Sequence, residues 1–277
     1  MTDADPAAAH ETALAKLGWD PPGTADALAD RWVADLDRGG VARAALIASV
    51  PGDAGSVIAA VRRHPQRFVG FFMVDPTQPG SAADAARSLD DGLRSICLFP
   101  AMHRYSIHDQ RVQLLFDVAA ARPGTAVFVH CGVLSVGARR KLGLPSPFDI
   151  RFGNPLDLHA VALAHREVPV IVPHFGAGLF REALMLADLC PNVLFDTSSS
   201  NGWIKYESGL TPSGVFRQAL SVAGPDRLLF GTDSSFFPRG WIMDVYARQS
   251  AALDEINASA DVRQKIFRHN FDRLFAV

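Results

Sequence analysis

The chain has 277 residues, 48% of them apolar and 20% charged, with a formal net charge of −2. That is the balance of a soluble globular protein with a large core, and it leaves no electrostatic footprint for nucleic acid or an anionic membrane surface. No run approaches the roughly 20 apolar residues that span a bilayer, the opening MTDADPAAAH lacks the apolar stretch of a secretory leader, and the three cysteines, Cys97, Cys131 and Cys190, fit neither a disulfide framework nor a zinc knuckle; a reduced, cytoplasmic protein is expected.

Residues 1–25 read as an irregular N-terminal segment that contains a short helix near 7–17 and the turn Pro21-Pro22-Gly23. Over 25–38, Leu28, Trp32, Val33 and Leu36 recur at helical spacing, and Gly39-Gly40 ends that helix. An alternation then begins. Apolar runs of strand length occupy 44–50, 69–74, 94–99, 126–131, 170–175, 193–198 and 227–233. Helix-like stretches lie between them at 54–63, 81–91, 110–121, 156–165, 179–189 and 211–222, and a last helix covers 260–275.

Near-continuous apolar strands separated by helices predict a parallel sheet covered on both faces. A closed TIM-type α/β barrel is the leading expectation and an open doubly wound sheet the alternative, which the lack of a Gly-x-Gly-x-x-Gly fingerprint weakens. A barrel wants eight strands; the runs supply seven, and the missing one would be the first. The whole chain, 1–277, reads as one domain, with long loops over 100–109 and 132–155.

Polar residues finish the apolar runs. His130 ends Val-Phe-Val-His, His174 ends Val-Ile-Val-Pro-His, Asp196 ends Val-Leu-Phe-Asp and Asp233 ends Leu-Leu-Phe-Gly-Thr-Asp. In a parallel barrel these ends converge on one face, and burying such groups costs several kcal/mol unless they are paired or used. Singly, each has a structural reading: a lone strand-end His is more often a hydrogen-bonding residue, and Asp196 and Asp233 precede Ser and Thr where capping is available. Jointly, His130, His174 and Asp233 point to an active site. His103, Arg104 and Tyr105 in one loop, with Arg239 and Trp241 after the last strand, are candidates for substrate binding, since Arg can pair bidentately with a carboxylate; surface charge is the competing reading for each. Cys131, beside His130, should face the opposite side by strand alternation. Asn270 is expected to anchor the last helix.

The segments FVHCG (128–132), VPHFGAG (172–178), NVLFDTSS (192–199), LLFGTDSSFFPRG (228–240) and RHNFDRLF (268–275) resemble the amidohydrolase superfamily. More narrowly, they resemble the amidohydrolase-related group that includes aminocarboxymuconate-semialdehyde decarboxylase. GVARAALIAS (40–49) and FVGFFMVDP (68–76) are similar to its early barrel. The resemblance implies a barrel with one divalent metal, usually zinc. His130 would be a metal ligand, Asp233 a metal ligand or proton shuttle, and His174 a catalytic residue near the metal. The family opens with a His-x-His pair on its first strand, and this sequence contains no His-x-His; the reading therefore expects a barrel lacking that strand, either shortened at its start or divergent in metal binding. The implied activity is hydrolysis of an ester, lactone or amide of a small, carboxylate-bearing molecule. A metal-dependent carboxy-lyase and a metal-free, inactive small-molecule-binding barrel are the alternatives. Partners are a small-molecule substrate and a second copy in a homodimer, with no nucleic acid and no membrane.

Overall fold

The structure, a computed structural model, describes residues 6–199 and 201–276. The start of the N-terminal segment lies outside them; the rest of it holds helix α1 (Pro6–Leu17), as the apolar spacing predicts. Helix α2 (Ala25–Arg38) follows, its first turn closed by the Thr24 side chain accepting from the Ala27 N–H. Then come β1 (Ala44–Ala48), α3 (Ala54–Arg63), β2 (Phe68–Val74), α4 (Ser81–Asp90), β3 (Ser95–Leu98), the single turn α5 (Pro100–His103), α6 (Gln110–Ala120) and β4 (Ala126–Val129). The second half runs α7 (Gly137–Lys141), α8 (His159–Ala164), β5 (Val170–Pro173), α9 (Phe180–Leu189), β6 (Val193–Asp196), α10 (Pro212–Val222) and β7 (Leu228–Leu229). Helices α11 (Met243–Glu255), α12 (Ala260–Gln264) and α13 (Asn270–Leu274) end it, a π-helical turn joining the last two.

All seven strands are parallel and pair strictly in chain order, β1 to β7. The sheet curls as a TIM-type barrel does, helices outside. Among the described residues β1 pairs only with β2 and β7 only with β6, so the curl is a partial barrel rather than a closed cylinder. Strands β2 to β7 are buried on both faces, whereas β1 is partly open and Ile47 on it is exposed. Outward residues such as Phe72, Ile96, Val127, Val172 and Phe195 join the helices in the main apolar layer. Inward residues, including Phe71, Cys97, Phe128, Ile171, Leu194 and Leu229, form a smaller cluster inside the curl. Phe275 belongs to this inner cluster, its ring 5.2 Å from that of Phe71, and Arg43, just before β1, donates to Asp272 and to the Phe275 carbonyl. The C-terminal segment thus bridges from the β7 side to β1. Cys131 sits in the outer layer, as alternation requires, and all three cysteines are buried thiols.

Asn270 is 1% exposed and donates to the carbonyls of Pro225 and Leu228, which tethers α13 to the entry of β7. Asn270→Ala would leave two buried carbonyls without a partner, a loss of about 2 kcal/mol or more. The expected result is a lower urea midpoint with an unchanged m value; an unaltered midpoint would refute the tether.

Candidate active site

Strand pleat assigns most of the site. Successive side chains of a strand point to opposite faces, so Ala126 and Phe128 on β4 lead to an inward His130. On β6 the inward Leu194 leads to Asp196 and then Ser198, and Leu229 on β7 leads to Gly231 and Asp233. His174 breaks this parity. Ile171 faces inward and Val172 outward, so the next inward positions would be Pro173 and Phe175. Instead Phe175 is in the outer layer against Phe180, Phe195 and Phe216, and His174 lines the interior. The cause is the backbone: His174, Phe175 and Ala177 have φ of 55°, 52° and 44°, left-handed values that turn the chain over within one residue. Gly132 lets the neighbouring loop press against this turn. A Cβ there would lie 2.1 Å from the Gly176 carbonyl oxygen, and the adjacent Val133 N–H donates to Ala177.

These side chains share one cavity of about 1680 Å³ that runs from the carboxyl ends of the strands along β1 to Arg43 and Asp272. The rings of His130 and His174 meet edge to face, 5.3 Å between centres, and Phe99 stacks on His130 at 5.5 Å. Burial, reinforced by the neighbouring His174, pushes the His130 pKa down to about 3, so its imidazole is neutral at any ordinary pH. Its Nδ1 is buried without a hydrogen-bond partner. Nδ1 of His174 lies 3.2 Å from the Ser198 carbonyl oxygen and 2.9 Å from Ser198 Oγ. A carbonyl can only accept, so this contact favours the tautomer with the proton on Nδ1 and the lone pair on Nε2.

Asp196 accepts from the Ser198 N–H at 2.6 Å. Burial raises its pKa, against the opposing pull of His174 and Ser198. Gly231 permits the close approach of β7: a Cβ there would fall 2.8 Å from that of Ser198 and 3.1 Å from Asp196 Oδ2. Asp233 opens into the cavity, with a left-handed φ of 58°. Although Asp233 is exposed overall, desolvation at the cavity wall raises its carboxyl pKa; His174 draws it down, Asp196 pushes it up and Arg239 draws it down. Two carboxyls thus sit near each other above their ordinary range, a pattern common at acid–base sites. Arg239 donates to the Asp233 carbonyl and to Ser235 Oγ and lies over the Phe236 ring at 4.3 Å. Trp241 lines the cavity, its N–H held by Asp35.

The loop of His103, Arg104 and Tyr105 corrects the sequence expectation, because none of the three lines the cavity. After β3, α5 sends Phe99 and Met102 inward. Arg104 then takes a left-handed φ of 57° and donates to the Pro147 carbonyl, while Tyr105 turns into the outer layer. Asp196 and Ser198, by contrast, face the cavity; the period-two continuation of β6 was the signal that could have identified Ser198.

The unpartnered, neutral His130 suits a metal ligand, but a catalytic zinc normally takes three protein ligands. Among the described residues no three His, Cys, Asp or Glu side chains converge to hold an ion. His130 and Asp233, the ligands implied by resemblance, gain no third partner there, so the donor set falls short of a zinc site. No helix among the described residues is long and apolar enough to cross a membrane.

A carboxyl whose pKa is raised by folding keeps its proton where the unfolded chain has lost it. Its contribution therefore weakens stability as pH rises from about 4, the unfolded value, through the raised folded value. Asp233→Asn cannot ionise. Its urea midpoint relative to the parent is expected to be higher at about pH 8 than at about pH 4; the same difference at both would contradict the raised carboxyl.

A family model described as amidohydrolase matches residues 3–277. No curated protein sequence matches the chain. Among solved structures, an uncharacterized TIM-barrel protein from Bordetella bronchiseptica superposes with a TM-score of 0.66 at 19% identity, over 98% of this chain and 90% of that one. A probable 2-pyrone-4,6-dicarboxylic acid hydrolase from Acinetobacter baumannii, with citric acid bound, gives 0.62 at 14% identity over 90% and 89% of the two chains. A 5-carboxyvanillate decarboxylase mutant from Novosphingobium aromaticivorans, with manganese and 3-methoxy-4-hydroxy-5-nitrobenzoic acid bound, gives 0.60 at 17% identity over 89% and 80%. At these identities the structures establish the shared barrel fold, and the family match spans nearly the whole sequence: the chain belongs to the amidohydrolase family, and is an enzyme of that family.

Proposed function

We propose that this enzyme hydrolyses an ester, lactone or amide bond in a small molecule that carries a carboxylate. The observation that carries the reading is the joint presence, on one cavity wall, of His174, Asp196 and Asp233 beside an Arg239 with which no carboxylate side chain forms an ion pair among the described residues. Arg239 is the anchor for the substrate carboxylate, its guanidinium already oriented by Asp233 and Ser235. Lys205 and Lys141 add positive charge to the same cavity. The dicarboxylic acid named for the Acinetobacter relative, and the citrate bound to it, are consistent with such a substrate.

Asp233, its carboxyl raised above the ordinary carboxylate range, takes the proton of the attacking water and returns it to the leaving oxygen or nitrogen. The Nε2 lone pair of His174 accepts the second hydrogen of that water and fixes its direction of attack. Asp196 holds the loop bearing Ser198. His130, neutral throughout, supplies a ring nitrogen and an aromatic edge rather than a mobile proton.

A second reading, loss of carbon dioxide from an aromatic acid, is favoured by the apolar floor. Phe71, Phe99 and Phe128 line the cavity beside His130, and the manganese-bound relative is named as a decarboxylase. There the protonated form of Asp233 would deliver its proton to the carbon that loses the carboxylate.

The panel that separates them contains monoesters of dicarboxylic acids, carboxylated lactones and hydroxybenzoic acids, followed for acid release and for carbon dioxide. Hydrolysis is expected, with kcat/KM rising with pH through a value above the ordinary carboxylate pKa of about 4. Asp233→Asn should lower kcat by about 100-fold and abolish that limb. Arg239→Gln should raise KM about tenfold for the carboxylate substrate and leave its uncharged amide analogue unaffected. Carbon dioxide release without hydrolysis would shift the assignment to the carboxy-lyase; an Asp233→Asn enzyme as fast as its parent would defeat both.

A further inference from the structure

A buried amide on an outer helix holds the strand end that carries the site. Gln249, on α11, is 3% exposed. Both ends of its side chain are spent on one residue: Nε2 donates to the Thr197 carbonyl at 2.6 Å, and Oε1 accepts from Thr197 Oγ1 at 2.7 Å. The orientation of the amide follows from chemistry, since the carbonyl oxygen can only accept. Thr197 is fully buried, and its N–H donates to Leu229 on β7 at 2.8 Å. Thr197 lies between Asp196 and Ser198. Its peptide neighbours are the carboxylate facing the cavity and the residue whose carbonyl and hydroxyl both meet His174 Nδ1.

We propose that Gln249 is a positioning residue for the reaction: by forking onto Thr197 it fixes the Ser198 carbonyl and hydroxyl, and so the tautomer and ring orientation of His174. A carbonyl at 3.2 Å selects the Nδ1-protonated ring only while it stays in place. No strand neighbour can hold it, because β6 ends at Asp196 and the peptide of Ser198 lies past the last β6–β7 pair, Asp196 with Leu229. The Gln249 fork is the tie from the helix layer to that extension. Leu at 249 would fill similar volume while withdrawing both bonds, leaving the 197–198 peptide held only by the Thr197 N–H on Leu229 and the Ser198 N–H on Asp196, so that the Ser198 carbonyl can shift and both His174 tautomers become accessible. The consequence is a fall in turnover more than in binding, because substrate affinity rests on Arg239 and the cavity wall.

This inference rests on the acid–base role given to His174, and the test has a readout that does not need turnover. The full chain is labelled with ¹⁵N-histidine, and the His174 ring resonances are assigned by their loss in His174→Gln. In the parent, the nitrogen shifts are expected to show Nδ1 protonated and Nε2 unprotonated. In Gln249→Leu they should move toward averaged values, with kcat for the hydrolysed ester falling about tenfold and KM within about twofold. Thr197→Val, which removes the hydroxyl bond but keeps the carbonyl bond, should fall between the two and serves as the test if Gln249→Leu does not fold. Parent-like His174 shifts in the folded variant would overturn the proposal. If no panel compound is turned over, the hydrolase reading fails and the nitrogen shifts alone still decide this one.

Discussion

In a parallel sheet covered on both sides a strand has no solvent face, so each side chain goes either to the helix layer or to the interior. That constraint organises the whole molecule. It makes the strands mostly apolar, sorts Cys131 from His130 across one peptide bond, and brings Asp196 onto the inner face by the pleat of β6, with Asp233 reaching the same cavity beyond the end of β7. The interior that receives them is bounded below by phenylalanine rings and above by solvent. Ionisable groups placed there are desolvated to different depths: His130 is held neutral by burial, while Asp233 stays exposed to solvent with its proton affinity raised.

The second organising feature is the exception to that rule. His174 reaches the cavity through a left-handed turn rather than through the pleat. Non-glycine residues in this conformation carry strain that the surroundings must hold. The surroundings are visible: Gly132 and Val133 pressed against 176–177, Phe175 locked among aromatic rings, and Ser198 on the imidazole. The cluster of raised carboxyls works in the same direction. Stability is given up locally, at the place where burial holds two carboxyls above their ordinary proton affinity.

The strands and most helices were legible because they are written as long apolar runs with Gly and Pro between them, and the strand ends revealed His130, Asp196 and Asp233 because charge is conspicuous there. His174 was legible as a residue but not as a geometry, since counting by two along β5 points it outward. The 103–105 loop misled because three polar or aromatic side chains after a strand look alike in sequence whether the next turn points inward or outward; the left-handed Arg104 decided it. Helix α11 was not read as a helix at all. Only Val245, Gln249, Ala252 and Leu253 are buried along it, a sparse stripe in which one of the inward positions is polar, and the partner of that polar residue lies 52 positions earlier in the chain.

The C-terminal segment has a role beyond filling the curl. A sheet edge left bare is a template onto which another chain can add a strand. Here β7 contributes only two residues to the ladder, and the flank of β1 is crossed by the Arg43 guanidinium, bonded to Asp272 and to the carbonyl of Phe275. The cover is local: the last turn of the protein screens the start of β1, while Ile47 further along stays exposed, so fraying of α13 would release Arg43 and lengthen the bare stretch of that edge.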